Sequence, residues 1–255
     1  MCLILFAYQH HPRYGLVLAA NRDEFYARPT APLDYWADHP QVLAGRDLEQ
    51  QGTWLGVSRQ GRLAAITNYR DPHNIKANAP SRGHLVSDFL IGTLPPGEYL
   101  QRLGESAGRY NGFNLLVGDI DSLFYFSNRG GPPRQLTPGL YGISNHLLDT
   151  GWPKICRGKQ ALSQLLGQKQ DLSPEKLFGI LQDQALAPND QLPDTGIARD
   201  WEAALSAVFI TSPHYGTRSS SVLLIDRDGR VSFDERTWKP AQSSPLADDC
   251  RHFQF

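Results

Sequence analysis

Cys2 is the residue whose type and place carry the most chemistry. It follows Met1, and a small second residue permits removal of the initiator methionine. Removal would put the thiol on the same residue as a free α-amine. An α-amine titrates near ~7.7–8.0 and a thiol near ~8.5, so the amine can act as a local base and the thiolate as a nucleophile. The plain alternative is a strand cysteine buried as a small apolar side chain. Asn21-Arg22-Asp23-Glu24 is the second group, placed directly after an apolar run. An arginine next to a thiol favours the thiolate. An aspartate there could hold the α-amine or fix the arginine through a bidentate pair, or the four residues could form a solvated turn. Asn68, at a strand end in Thr67-Asn68-Tyr69-Arg70, could donate to an oxyanion or close a turn. Ser144-Asn145-His146 follows another strand, with Asp149 and Trp152 downstream. Gly216-Thr217-Arg218-Ser219-Ser220-Ser221 sets an arginine among hydroxyls ahead of a strand, suited to an anionic group or to a polar loop.

The elements that must position these residues begin with a hairpin. Residues 2–8 and 14–20 are apolar on both faces, as central strands covered on two sides are. Pairing Tyr8 with Tyr14 sets Cys2 opposite Ala20, and the polar quartet emerges beside Cys2. Further strands are expected at 53–58, 62–67, 113–118, 122–127, 140–144, 206–210, 221–226 and 231–235. Helices are expected at 81–92, 97–108, 153–166 and 174–185, the last with Ser173 as cap and Pro174 at its first position. Residues 187–200 read as a long loop, and 239–255 as a loosely packed polar arm on a single domain spanning 1–255. Cys156, in an apolar helical pattern, is expected to be buried, and Cys250 accessible. The alternation of strand and helix blocks fits two stacked antiparallel sheets with helices outside, or another α+β layout.

The 255 residues suffice for a sizeable core, and 40% are hydrophobic against 20% charged. A net charge of −1 lacks the basic excess of a general nucleic-acid binder. No apolar run reaches the ~20 residues of a membrane helix, so no stable membrane insertion is expected. The start of the chain has no signal-peptide pattern, and three cysteines without metal spacing fit a reducing cytoplasm. Nothing in the composition indicates an oligomeric state.

The order of the motifs resembles the NRDE family. The resemblance rests on Met1-Cys2 before an apolar strand, Asn21-Arg22-Asp23-Glu24-Phe25 and Arg28-Pro29. Gly45-Arg46-Asp47, Gly52-Thr53-Trp54-Leu55-Gly56, Thr67-Asn68-Tyr69-Arg70 and Ser81-Arg82-Gly83 continue it. Asn111-Gly112-Phe113-Asn114-Leu115, Ser144-Asn145 and Thr217-Arg218-Ser219 carry it to about residue 240. This family is similar to the N-terminal nucleophile (Ntn) hydrolases of the choloylglycine hydrolase and penicillin acylase type. The resemblance implies an α+β fold, a four-layer αββα sandwich. It implies Cys2 as nucleophile, Arg22 and Asp23 as the early pair, Asn68 and Asn145 as the two asparagines and Arg218 as the late arginine. Arg22 and Asp23 are adjacent here, whereas the acylases space that pair further apart. Asn21, Arg70 and Trp54 are taken as substrate contacts.

The family has been linked to heme trafficking, to acyl-CoA and lipid metabolism and to Golgi organisation, without a settled reaction. Two functions follow. One is an amidase or acyl-transfer enzyme acting on a small-molecule amide or thioester, needing no metal and no organic cofactor. The other is a non-covalent heme-binding or heme-trafficking protein on the same fold, with His10, His11, His73, His84, His146 or His214 as candidate axial ligands and Arg22, Arg70 or Arg218 for the propionates. No Cys-x-x-Cys-His motif is present. An adaptor without small-molecule chemistry leaves the polar residues around Cys2 unexplained.

Overall fold

The computed structural model describes residues 2–168, 172–239 and 246–255. One sheet is built from β1 (Cys2–Tyr8), β2 (Tyr14–Phe25), β10 (Gly139–Ile143), β11 (Tyr215–Asp226), β12 (Val231–Trp238) and β13 (Ala247–Gln254), in the order β10-β1-β2-β11-β12-β13. The other runs in chain order from β3 (Thr30–Tyr35) and β4 (Val42–Asp47) through β5 (Leu55–Ser58), β6 (Leu63–Asn68), β7 (Phe113–Gly118) and β8 (Leu123–Ser127) to β9 (Arg134–Gln135). Neighbouring strands in both sheets are antiparallel.

Side-chain alternation along the strands makes the layers. Ile4, Phe6, Leu16 and Leu18 of the first sheet meet Leu43, Leu55, Leu63 and Leu116 of the second between the sheets. Leu3, Leu5, Val17 and Ala19 point the other way, onto α3 (Pro153–Leu166) and α4 (Pro174–Leu181). The outer face of the second sheet packs on α1 (His84–Ile91) and α2 (Pro96–Ser106). The result is the expected αββα sandwich of two antiparallel sheets flanked by helices.

Several local expectations need correction. Cys2 pairs with Arg22, not Ala20, because Tyr8 faces Leu16. Gln9 takes a left-handed backbone (φ 47°) and its N–H closes on the Gly15 carbonyl at 2.7 Å. Tyr14 is thereby released from β1 and pairs with Asp226 of β11. The polar quartet and Thr217-Arg218-Ser219 lie inside β2 and β11, not beyond or before strands. Residues 206–210 form no strand: Phe209 N–H bonds Asp183 O at 2.8 Å, so this apolar run is buried without joining a sheet ladder. Strands β3 and β4 have no counterpart among the expected elements, since Pro32 and the Gly45-Arg46-Asp47 turn signals obscure them. The 187–200 stretch ends in α5 (Arg199–Ala204). Cys156 is exposed, because the buried stripe of α3 runs through Ile155, Gly158 and Leu162.

The expected loose arm is an edge strand over 247–254; residues 240–245 lie outside the described residues. Its side chains alternate, and Phe253 packs between the sheets, edge-on to Tyr35 with centroids 5.6 Å apart. Phe253→Ala should therefore lower stability by about 1–2 kcal/mol in urea unfolding. An arm that did not pack would give no measurable change.

Candidate active site

Cys2 starts β1, flanked by β10 on one side and β2 on the other. Its carbonyl accepts a hydrogen bond from Ser144 Oγ at 3.2 Å. Alternation sends Cys2 and Arg22 toward the space between the sheets, where Ile4 and Ala20 also point. There they meet a cleft of about 300 Å³ lined by Cys2, Arg22, Asp23, Trp54, Asn68 and Arg82, among others. The Arg22 guanidinium lies over the Trp54 ring, 4.2 Å from its centroid, and donates to Thr30 Oγ1 at 2.8 Å.

Asn68 reaches this cleft from the end of β6. Its backbone carbonyl is held by Asn145 Nδ2 at 2.9 Å, while its side-chain amide makes no hydrogen bond to any described residue. Asn145 is fully buried and does not line the cleft. Its Oδ1 accepts from Ser144 Oγ at 3.3 Å and its backbone carbonyl from Arg70 N–H at 2.7 Å, so it braces the two sheets behind Asn68.

The other residues expected at the site lie elsewhere. Asn21 is on the helix-facing side of β2; its amide donates to Leu181 O and Val208 O at 2.8 Å each, and Ser220 Oγ donates to its Oδ1 at 2.5 Å. Arg70 is buried in an ion pair with Glu202 and sits 4.9 Å from the Trp152 centroid. Arg218 donates to the carbonyls of Phe25 and Arg28 at 2.9 and 3.0 Å, holding the turn after β2. It lines a cavity on the other side of the Arg22–Trp54 stack. None of these three lines the Cys2 cleft, because inward-facing strand positions and buried polar partners claim them first.

Arg82 is a cleft residue that the sequence reading does not single out. It enters the cleft just before α1 and donates to Gly112 O at 2.9 Å. Burial pulls its guanidinium below its ordinary value, against the opposing pull of Glu24 and Cys2. Its signal is Ser81-Arg82-Gly83, which also reads as a helix start. None of the six candidate histidines lines this cleft. His146 has both ring nitrogens engaged, with Tyr69 Oη and Thr150 Oγ1, each at 2.9 Å.

Burial dominates the electrostatics. It pushes the Cys2 thiol above its ordinary value, and the adjacent Asp23 pushes the same way. The N-terminal ammonium and, less strongly, Arg22 oppose this without overcoming it, so the thiol lies above its ordinary value and not below it as expected. Asp23, fully buried, accepts from Thr217 Oγ1 at 2.7 Å, and burial raises its carboxyl against the pull of Lys154.

The family described as Transport and Golgi organisation 2 matches residues 1–240. The chain belongs to this family. It is 40% identical to the human Transport and Golgi organization protein 2 homolog, with 93% of each chain covered. The Drosophila melanogaster Transport and Golgi organization protein 2 is 30% identical, over 93% of this chain and 92% of that one. Among solved structures, a mutant conjugated bile acid hydrolase from Clostridium perfringens superposes with a TM-score of 0.52 at 10% identity, covering 100% of this chain and 97% of that one. A Caenorhabditis elegans N-acylethanolamine-hydrolyzing acid amidase ortholog gives 0.50 at 10% identity, covering 88% and 92%. At such identity the likeness shows the fold, which is that of the Ntn hydrolases.

The Arg22–Trp54 stack depends on Gly45 of this family member. A Cβ there would lie 2.4 and 2.5 Å from two carbons of the Trp54 ring. Gly45→Ala should displace the indole from beneath Arg22 and cost about 1–3 kcal/mol in urea unfolding. Unchanged stability together with unchanged Trp54 fluorescence would show that the stack tolerates the methyl group.

Proposed function

We propose that the chain is a cysteine hydrolase of the Ntn type, acting on a small amide or thioester through Cys2. The supporting observation is the cleft itself: a thiol at the start of β1, an arginine paired opposite it, and an asparagine amide that no described residue engages. Structural neighbours that carry hydrolase and amidase names add support at the level of fold alone.

The scheme requires removal of Met1, after which the α-amine of Cys2 takes the thiol proton. Sγ attacks the carbonyl carbon, forming a C–S bond as the carbonyl π pair moves to oxygen, with Asn68 placed to donate to that oxyanion. The oxyanion collapses, the C–N or C–S bond to the leaving group breaks, and the leaving group takes the proton from the α-ammonium. Water then hydrolyses the thioester, releasing a carboxylic acid and the thiol. Arg22 favours the thiolate that burial disfavours.

Intact-mass spectrometry should find native protein without Met1, and a panel of p-nitrophenyl thioesters and N-acyl anilides should leave an acyl adduct on Cys2. Cys2→Ala should abolish adduct and turnover. Asn68→Ala should slow turnover by ~10²–10³-fold, the cost of losing one oxyanion donor. Retained Met1, or turnover that survives Cys2→Ala, would sink the scheme.

A further inference from the structure

Lys154 is the second residue of the fourteen-residue helix α3 and is 1% exposed. Its Nζ makes no hydrogen bond to any described residue. Buried cations are normally paired, and a cation in the first turn of a helix opposes the macrodipole. Lys154 departs from both rules beside the candidate site.

Its charged surroundings are Asp23 on β2, the strongest, then Arg70 after β6, Cys2 on β1 and Glu202 on α5. Arg70 and Glu202 already pair with each other. That leaves two acids, Asp23 and Cys2, both raised by burial, with the Asp23 charge also raising the Cys2 thiol. Neighbouring acids resist double ionisation unless cations offset them, and their second ionisation belongs to the pair. Two such cations are the N-terminal ammonium, which pulls both acids down, and Arg22, opposite Cys2 between the sheets. Asp23 alternates to the helix-facing side of β2, toward the layer that contains α3.

We propose that Lys154 is a positioning residue that adds a further positive charge to those of Arg22 and the N-terminus, allowing the Asp23 carboxylate and the Cys2 thiolate to be negative together. This rests on the assignment of Cys2 as nucleophile. Burial also pulls the Lys154 ammonium down to about 8. Its charge therefore fades just above neutral pH.

The test is iodoacetamide alkylation from pH 6 to 10, resolved by peptide, on wild type, Lys154→Met and Lys154→Arg. Exposed Cys250 serves as internal reference. Lys154→Met should move the Cys2 profile upward by about one pH unit, a roughly tenfold slower reaction at pH 7. Lys154→Arg should match wild type at pH 7 and outpace it at pH 9.5, where wild type has lost the charge. A Lys154→Met profile coincident with or faster than wild type overturns the proposal. So does a Lys154→Arg profile coincident with wild type at pH 9.5. Circular dichroism confirms folding; if a variant fails to fold, the remaining profiles decide. Alkylation reports the thiol whether or not any substrate turns over, so this proposal and the hydrolase scheme can fail separately.

Discussion

The twelve-residue strand β2 is the constraint on which the site depends. It lies between β1 and β11 and is buried on both faces for most of its length. Each successive side chain must therefore go either between the sheets or onto the helices. Asn21, Arg22 and Asp23 are consecutive in sequence but divided by this alternation. Arg22 enters the inter-sheet space with Cys2, while Asn21 ties the strand to Leu181 and Val208. A register slip of one residue would exchange these roles and turn the apolar side chains of β2 to the wrong layer.

The second requirement is satisfaction of polar groups where the strands end. Thr67 Oγ1 donates to Ser144 O at 2.5 Å, and Asn114 Nδ2 donates to Thr67 Oγ1 and His146 O at 3.0 and 2.9 Å. Tyr125 Oη donates to Asn114 Oδ1 at 2.7 Å. With the Asn145 bonds, this network joins the ends of β6, β7 and β10. A half-satisfied network at this depth would cost more than an apolar one. Its completion has a functional consequence: Asn145 is consumed as a brace, and Asn68 is left with its amide toward the cleft.

Charge is handled under the same scarcity of solvent. Glu202 accepts from Thr195 N–H and Oγ1 as well as pairing with Arg70, so this buried ion pair is tied into the 187–204 segment. Burial raises both acids of the site and lowers Arg82 and Lys154. Proximity to an arginine is enough, in the sequence, to suggest a depressed thiol. Desolvation reverses the direction, because it acts on the charged form more strongly than a single guanidinium restores it.

The amino-acid sequence by itself determined the layers. Doubly apolar strands and helical patterns such as 153–166 fit two covered sheets or another α+β layout, because periodicity is a local record of what each face must touch, and the family resemblance implied the sandwich. The hairpin also set Arg22 beside Cys2, whereas Asn68 joined them only through the family resemblance. Tertiary structure decided the rest. The Cys2–Arg22 register depends on the backbone of Gln9, and the roles of Asn21, Asn145, Arg70 and Arg218 depend on partners from distant parts of the chain. The place of Lys154 depends on where α3 packs against β1 and β10. Those outcomes turn on which buried polar group finds which partner and how much water remains beside a charge, and neither is a property of any local stretch of residues.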